Sequence, residues 1–344
     1  MSFITNIRSV AKYESKILVR SWFFRIFTLL AVVFLGFFNF AMMLMEDNFG
    51  LWFAKSVSSN IPYLNLLLLN TGQAVVAVFL SSEFLKRDKK LDTSEVFYVR
   101  PLSNAEYVVG KIWGNLRVFL FLNLLVLAIV LAFNFMASGV TVDLPAYLVY
   151  FFLISIPTLI FIIGLSIFLM LLLKNQALTF ILLLGYIGLT LFYIQDKFYY
   201  LFDYMVYNLP LFKSTIVGFS NLELILNHRA IYFFAGLGFI FFTIFLFKRL
   251  PNARRSHYPW LFLSFCMFLL MVTAGFRHVR SILREGEMRA LYTSINNKYV
   301  YEPKMAIDYY DISVEQKSET IRSVVGMEGT ALAASEVFIF CLNP

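Results

Sequence analysis

The residues able to do chemistry in this chain gather in one stretch, Ser82 to Lys111, which reads SEFLKRDKKLDTSEVFYVRPLSNAEYVVGK. Glu83, Lys86, Arg87, Asp88, Lys89, Lys90, Asp92 and Glu95 put eight charges into thirteen residues, so this stretch belongs in water although apolar segments flank it. Charges of both signs at that density suit pairing with a soluble partner, where they set register and partner choice more than raw affinity. A solvated face beside the membrane is the alternative reading of the same residues. Arg100-Pro101 then breaks any helix, because the residue before proline is pushed out of the helical region. Ser103 stands three residues ahead of Glu106 and just before Tyr107-Val108-Val109, the capping-box signature of a new helix start.

Other chemistry is thin. Gly110-Lys111 fails as a phosphate loop, since Ala105 stands where the first glycine is needed and Ile112 where Ser or Thr would hold magnesium. His228, His257 and His278 lie at the ends of apolar runs, and none forms HExxH. No histidine at the depth of Ser166 could activate it, so Gly164-Leu165-Ser166 reads as small residues in a packing seam. Cys266 and Cys341 give neither a disulfide framework nor a metal site. The sequence therefore predicts no catalytic residue, no metal ligand and no cofactor held by this chain. The central portions of the apolar runs read as free of Asp, Glu, Lys and Arg, whereas ion- or proton-coupled carriers keep one near the midplane. The energy source is expected elsewhere.

The elements that must position the charged stretch follow from composition. Sixty per cent of the 344 residues are apolar, 15% are charged and mean hydropathy is +0.75, an excess that has to face lipid. The net charge of +8 lies in clusters at the ends of apolar runs, a topological pattern rather than a nucleic-acid stripe. Runs long enough to span are 23–45, 62–82, 112–136, 146–173, 176–195, 230–248 and 258–276. The first of them begins near Trp22 with no small-residue cleavage site behind it, so no cleavable signal peptide is expected. The 83–111 and 248–256 loops are rich in Lys and Arg, while 46–60 and 137–145 hold only Lys55. Short basic loops stay inside, which puts the N-terminus and the 83–111 loop in the cytoplasm and the tail outside.

Three flanking regions complete the reading. In residues 3–20, Arg8, Lys12, Lys16 and Arg20 form a basic stripe, with Phe3, Ile7, Val10 and Ile17 on the other side. This is an amphipathic helix on anionic lipid, or else the ordinary flank of a first span. The 196–229 segment is too polar at its ends to span and too apolar for a solvated loop, so it reads as short re-entrant pieces or as an aromatic-belt loop. In the tail, helical spacing persists from Arg277 to Arg289. Beyond it, 306–315 and 336–342 are strand candidates punctuated by Gly326 and Gly329.

Glu83, Arg87-Asp88, Arg100-Pro101-Leu102-Ser103-Asn104, Tyr107 and Gly110-Lys111 together resemble the cytoplasmic loop of type-2 ABC exporter permeases, the ABC-2 superfamily. The resemblance covers roughly residues 1–250. It implies an interfacial N-terminal helix, a coupling helix at 83–98 docked on a separate ATPase subunit, and re-entrant helices near 196–229. A seventh span departs from the family's simplest six-span pattern. The tail resembles the first strands of the β-rich domain of aminopeptidase N-type zinc peptidases, which large bacterial fusions join to such a permease.

The expectation is thus an all-α polytopic protein of a bacterial inner membrane: interfacial helix 1–22, permease 23–276, and a small, incomplete β-rich extracytoplasmic tail 277–344. Its role would be that of an ABC permease subunit. The resemblance implies an ATPase carrying ATP and magnesium and a second permease copy or paralogue as partners, with membrane lipid around them and no nucleic acid. Glu83, Arg87, Asp88 and Lys90 are the expected ATPase contacts, and Pro101, Ser103 and Glu106 the hinge and cap of the coupling loop. Asn65, Asn70 and Gln73 are the candidate cargo-path residues, with Gly185 and Gly188 beside them, and close helix packing is the alternative for all five. A membrane anchor for a peptidase-like domain and an ATPase-independent channel or carrier are the competing functions.

Overall fold

Long apolar stretches can satisfy their backbone in lipid only as helices or closed barrels, and here they are helices. The computed structural model describes residues 3–44, 59–82, 102–136, 142–211, 213, 218–219, 221–247, 258–300, 305–317 and 320–332. Helix α1 (Phe3–Arg20) is followed by α2 (Trp22–Leu44), α3 (Asn60–Ser82), α4 (Asn104–Met136), α5 (Leu144–Leu173), α6 (Gln176–Ile194), α7 (Leu222–Leu246) and α8 (Tyr258–Tyr299). A hairpin of β1 (Met305–Lys317) and β2 (Thr320–Ala331) comes last. Among the described residues, α2 to α8 are seven helices long and apolar enough to cross a membrane, which fits an integral multi-pass membrane protein.

Local sequence explains the boundaries. Lys174 turns left-handed to end α5 and the Asn175 side chain accepts from Leu178 N to start α6, so two residues separate two spans. Helix α4 begins at Asn104, eight residues ahead of the apolar run, because Ser103 caps it. Helix α7 begins at Leu222 rather than 230, so His228 and Arg229 lie in its second turn instead of a re-entrant segment. That placement also corrects the expectation of charge-free spans, since Arg229 is buried inside one.

Contacts divide the chain into two units, residues 1–213 with 221–278 and residues 214–220 with 279–344. In the first, consecutive spans alternate in direction. At one end Phe23 packs on Phe79, Phe79 on Phe180, and Tyr107 stacks on Phe247. At the other, Lys213 pairs with Asp143 at 2.6 Å and the Ser59 hydroxyl donates to the Lys213 carbonyl. The core lies between, on residues such as Val108, Phe119, Val130, Ile162, Ile163, Ile225 and Ile244. Gly164 and Gly236 let α5 and α7 touch backbone to backbone: a Cβ at Gly164 would lie 2.6 Å from the Gly236 carbonyl oxygen.

The helical spacing expected from Arg277 to Arg289 is present and extends further: helix α8 continues past 276 to Tyr299, 42 residues in all, about 63 Å at 1.5 Å per residue, twice a bilayer's hydrocarbon core. After Pro259 in its first turn, where proline is tolerated, no proline follows until Pro303, and Arg280/Arg284 and Glu285/Arg289 keep helical spacing. Gly326 and Gly329 lie inside β2 rather than ending a strand, and Gly329 faces Ile307 beside a register irregularity between Ile307 and Tyr309. The 336–342 strand candidate lies outside the described residues.

Candidate functional site

Two buried polar joints stand out, one at each end of the bundle. The first is where the charged stretch enters α4. The capping box is formed: the Ser103 N–H donates to Glu106 Oε2 at 2.6 Å, and the Glu106 N–H donates to Ser103 Oγ at 3.2 Å. The other Glu106 oxygen accepts from Asn6 Nδ2 on α1 at 2.8 Å. Asn104 Nδ2 donates to the Phe247 carbonyl at the end of α7. One turn on, Lys111 pairs with Glu14 of α1 at 2.8 Å, both side chains being under 5% exposed. Arg117 donates to Ser15 Oγ and to the Ala11 carbonyl, and Ser15 donates to the Gly114 carbonyl.

Glycine spacing permits this. A Cβ at Gly110 would stand 2.7 Å from the Val10 Cβ, and one at Gly114 2.8 Å from the Ala11 carbonyl oxygen. Helix α1 therefore lies hard against α4 through Val10, Ala11, Glu14 and Leu18. Its basic stripe of Arg8, Lys12, Lys16 and Arg20 stays exposed on the other side. Glu83, Arg87, Asp88, Lys90 and Pro101 lie outside the described residues.

The second joint is at the far end. Pro157 cannot donate to the Leu153 carbonyl one turn back, and a π-helical turn over Phe151–Ser155 opens α5 there. Arg229 fills the opening. Its Nε donates to the Leu153 carbonyl at 2.6 Å, Nη2 to the Ile154 carbonyl and Thr158 Oγ1, and Nη1 to the Tyr204 carbonyl at 2.9 Å. The charge is met by backbone carbonyls and one hydroxyl, so Arg229 fastens the 196–211 segment to α5 and α7.

That segment is itself constrained. Phe198, Tyr199 and Tyr200 all have left-handed φ, 52°, 58° and 61°, each costing about 1–3 kcal/mol without a glycine. His228 Nε2 lies 3.0 Å from the Tyr200 carbonyl oxygen and His278 Nε2 2.9 Å from that of Tyr199. Asp203 accepts from the N–H groups of Tyr207 and Asn208. Burial pushes its carboxyl above the usual range, while those two bonds and Arg229 act in the other direction. Tyr63 and Tyr150 donate to the carbonyls of Val206 and Leu211, and Thr71 bonds Tyr207. Residues 198–211 between α6 and α7 are thus a folded plug.

Asn65, Asn70 and Gln73 are all buried and pair across helices. Asn65 exchanges amide bonds with Asn39 of α2 at 2.7 and 3.0 Å. Asn70 donates to Asn123 and Ser155, and Asn123 donates to Gln73 at 2.8 Å. This is interhelical glue of the kind polar side chains supply in membranes. Gly185 and Gly188 have nothing within 4 Å of an added Cβ. Sequence reasoning missed Glu14, Arg229 and the His228–His278 pair. The available signals were the single acid inside a basic helix, and Pro157 mid-span with a carbonyl to satisfy. Among the described residues no cluster of three or more His, Cys, Asp or Glu could hold a metal ion. Comparison with models of protein families and with curated proteins gives no match for this chain.

Proposed function

We propose that this chain is a membrane-spanning permease subunit of an ATP-driven transporter of the ABC-2 type. It takes its energy from a separate ATPase subunit and works beside a second copy or a paralogue. The observation that carries this reading is the clamped start of α4. The capping box, the Asn6 and Phe247 contacts and the buried Glu14–Lys111 pair tie α4 to α1 and α7 at the point where the charged loop arrives. A push on the 83–98 segment would then move α1, α4 and the end of α7 together instead of bending one helix. ATP binding on the partner supplies the push, and the Pro101 turn passes it to α3 and α4. A cavity between two permease subunits then changes its open side. The placement is a bacterial inner membrane, with the charged loop in the cytoplasm and the tail outside.

Co-purification with a co-expressed ATPase subunit tests this. Glu83→Lys with Arg87→Glu is expected to cut recovery at least tenfold, and undiminished association would refute the docking. A second reading, an anchor for an extracytoplasmic domain, is favoured by the exposed hairpin. Deleting residues 305–344 is expected to leave transport intact under the first reading and to abolish function under the second.

A further inference from the structure

The left-handed turn at 198–200 is held by two imidazoles from different helices, His228 of α7 and His278 of α8. A carbonyl only accepts, so each ring carries its hydrogen on Nε2, and each Nδ1 is left as a lone pair. Among the described residues neither buried Nδ1 makes a hydrogen bond of good geometry, with the Leu224 carbonyl the backbone acceptor nearest to that of His278. The ring centroids are 5.0 Å apart. The groups that face the pair are mostly cationic or neutral. Arg229 follows His228, and the Tyr232 ring lies 5.3 Å from it. The Leu224 carbonyl lies against His278. Arg277 precedes His278 and is occupied by Glu223 at 3.1 Å. Of the two carboxylates in 196–211, Asp196 lies just before the turn and Asp203 is committed to the N–H groups of Tyr207 and Asn208.

We propose that His228 and His278 form a proton-operated latch on the 198–211 plug, closed while both rings are neutral and released by acid. A proton on either Nδ1 would place an imidazolium in a buried site against the other ring and beside Arg229. Two protons would put three cations together. In the released state the rings meet water, where an ordinary imidazole takes up a proton near pH 6.5. The released state therefore binds more protons, and falling pH favours it. Left-handed φ at three consecutive non-glycine residues gives the turn a reason to open once the two bonds are lost. Phe198 and Tyr199 are 61% and 46% exposed, so the turn already borders the surroundings. This inference stands whether or not the chain is a permease.

The test is hydrogen–deuterium exchange of the 198–211 peptide in nanodiscs at pH 7.5 and pH 5.5, corrected for the intrinsic pH dependence of exchange. Wild type is expected to exchange at least tenfold faster at pH 5.5, with little change in α4. Replacing both residues (His228→Gln with His278→Gln) keeps an Nε2 donor but removes the titration, and is expected to show less than a twofold pH response. His257→Gln is the control and should behave as wild type. A wild-type plug that exchanges equally at both pH values overturns the latch. So does a double variant that keeps the full acid response.

Discussion

The two buried joints solve one problem by opposite means. At the charged-loop end, Lys111 is neutralised by another side chain, Glu14, on a helix that glycine spacing brings within reach. At the far end, Arg229 has no ion partner at hydrogen-bond distance among the described residues and spends its donors on carbonyls and one hydroxyl. The first joint depends on two side chains being opposite in charge. The second depends on a backbone already opened by Pro157. A charge can thus be buried in this bundle either by pairing it or by giving it orphaned acceptors. The consequences of mutation differ accordingly.

The sharpest break in that comparison is at Arg229. Arg229→Leu leaves the Leu153 carbonyl without its side-chain donor and strips one donor each from the Tyr204 carbonyl and Thr158 Oγ1, which still bond each other; it should cost about 3–5 kcal/mol, read as loss of the monodisperse folded species in detergent. Arg229→Lys should fail to rescue it, since one ammonium cannot reach acceptors spread over two elements. At the other joint, Glu14→Gln strands a buried ammonium and should cost about 3 kcal/mol in denaturant unfolding. Glu14→Met with Lys111→Met should recover most of that. A double variant no better than the single one would show that pairing is not what holds α1. Gly114→Ala should follow at about 1–3 kcal/mol by forcing α1 away from α4, whereas Gly185→Ala, with open space around it, should be neutral or stabilise by up to about 1 kcal/mol. Thermal midpoints of the two alanine variants side by side decide this. The smallest effect is Ser103→Ala, about 1 kcal/mol for the lost cap, measured by fraying of the first turn of α4 in hydrogen exchange.

Much of the architecture follows from local chemistry and could be read from the chain. Apolar length selects spanning helices, and Asn175 and Ser103 place helix starts through hydrogen bonds that need only neighbouring residues. The loop charges also grouped the ends correctly: Asn104, after the acidic-basic loop, meets Phe247, before the 248–256 loop, while Ser59, Asp143 and Lys213 share the other end. The start of α7 was not legible. Half of Leu222–Arg229 is polar, including a glutamate and an arginine, and only burial against Leu153, Ile154 and Tyr204 makes a helical arginine acceptable there. The same holds for Asn65, Asn70 and Gln73, whose meaning rests on Asn39, Asn123 and Ser155 arriving from other helices.

By itself the sequence determined the apolar lengths that form spanning helices and where one cap would form, though not where α7 begins, because hydropathy and capping act over a few residues. Only the tertiary structure decided which charges are buried and what satisfies them. Glu14 meets Lys111 across about a hundred residues of chain, and Arg229 meets the Leu153 carbonyl, freed by Pro157, about seventy residues earlier. Pro157 marks in the sequence that a carbonyl is freed, but backbone acceptors carry no residue name, so the pattern of residue types does not say which side chain fills the gap.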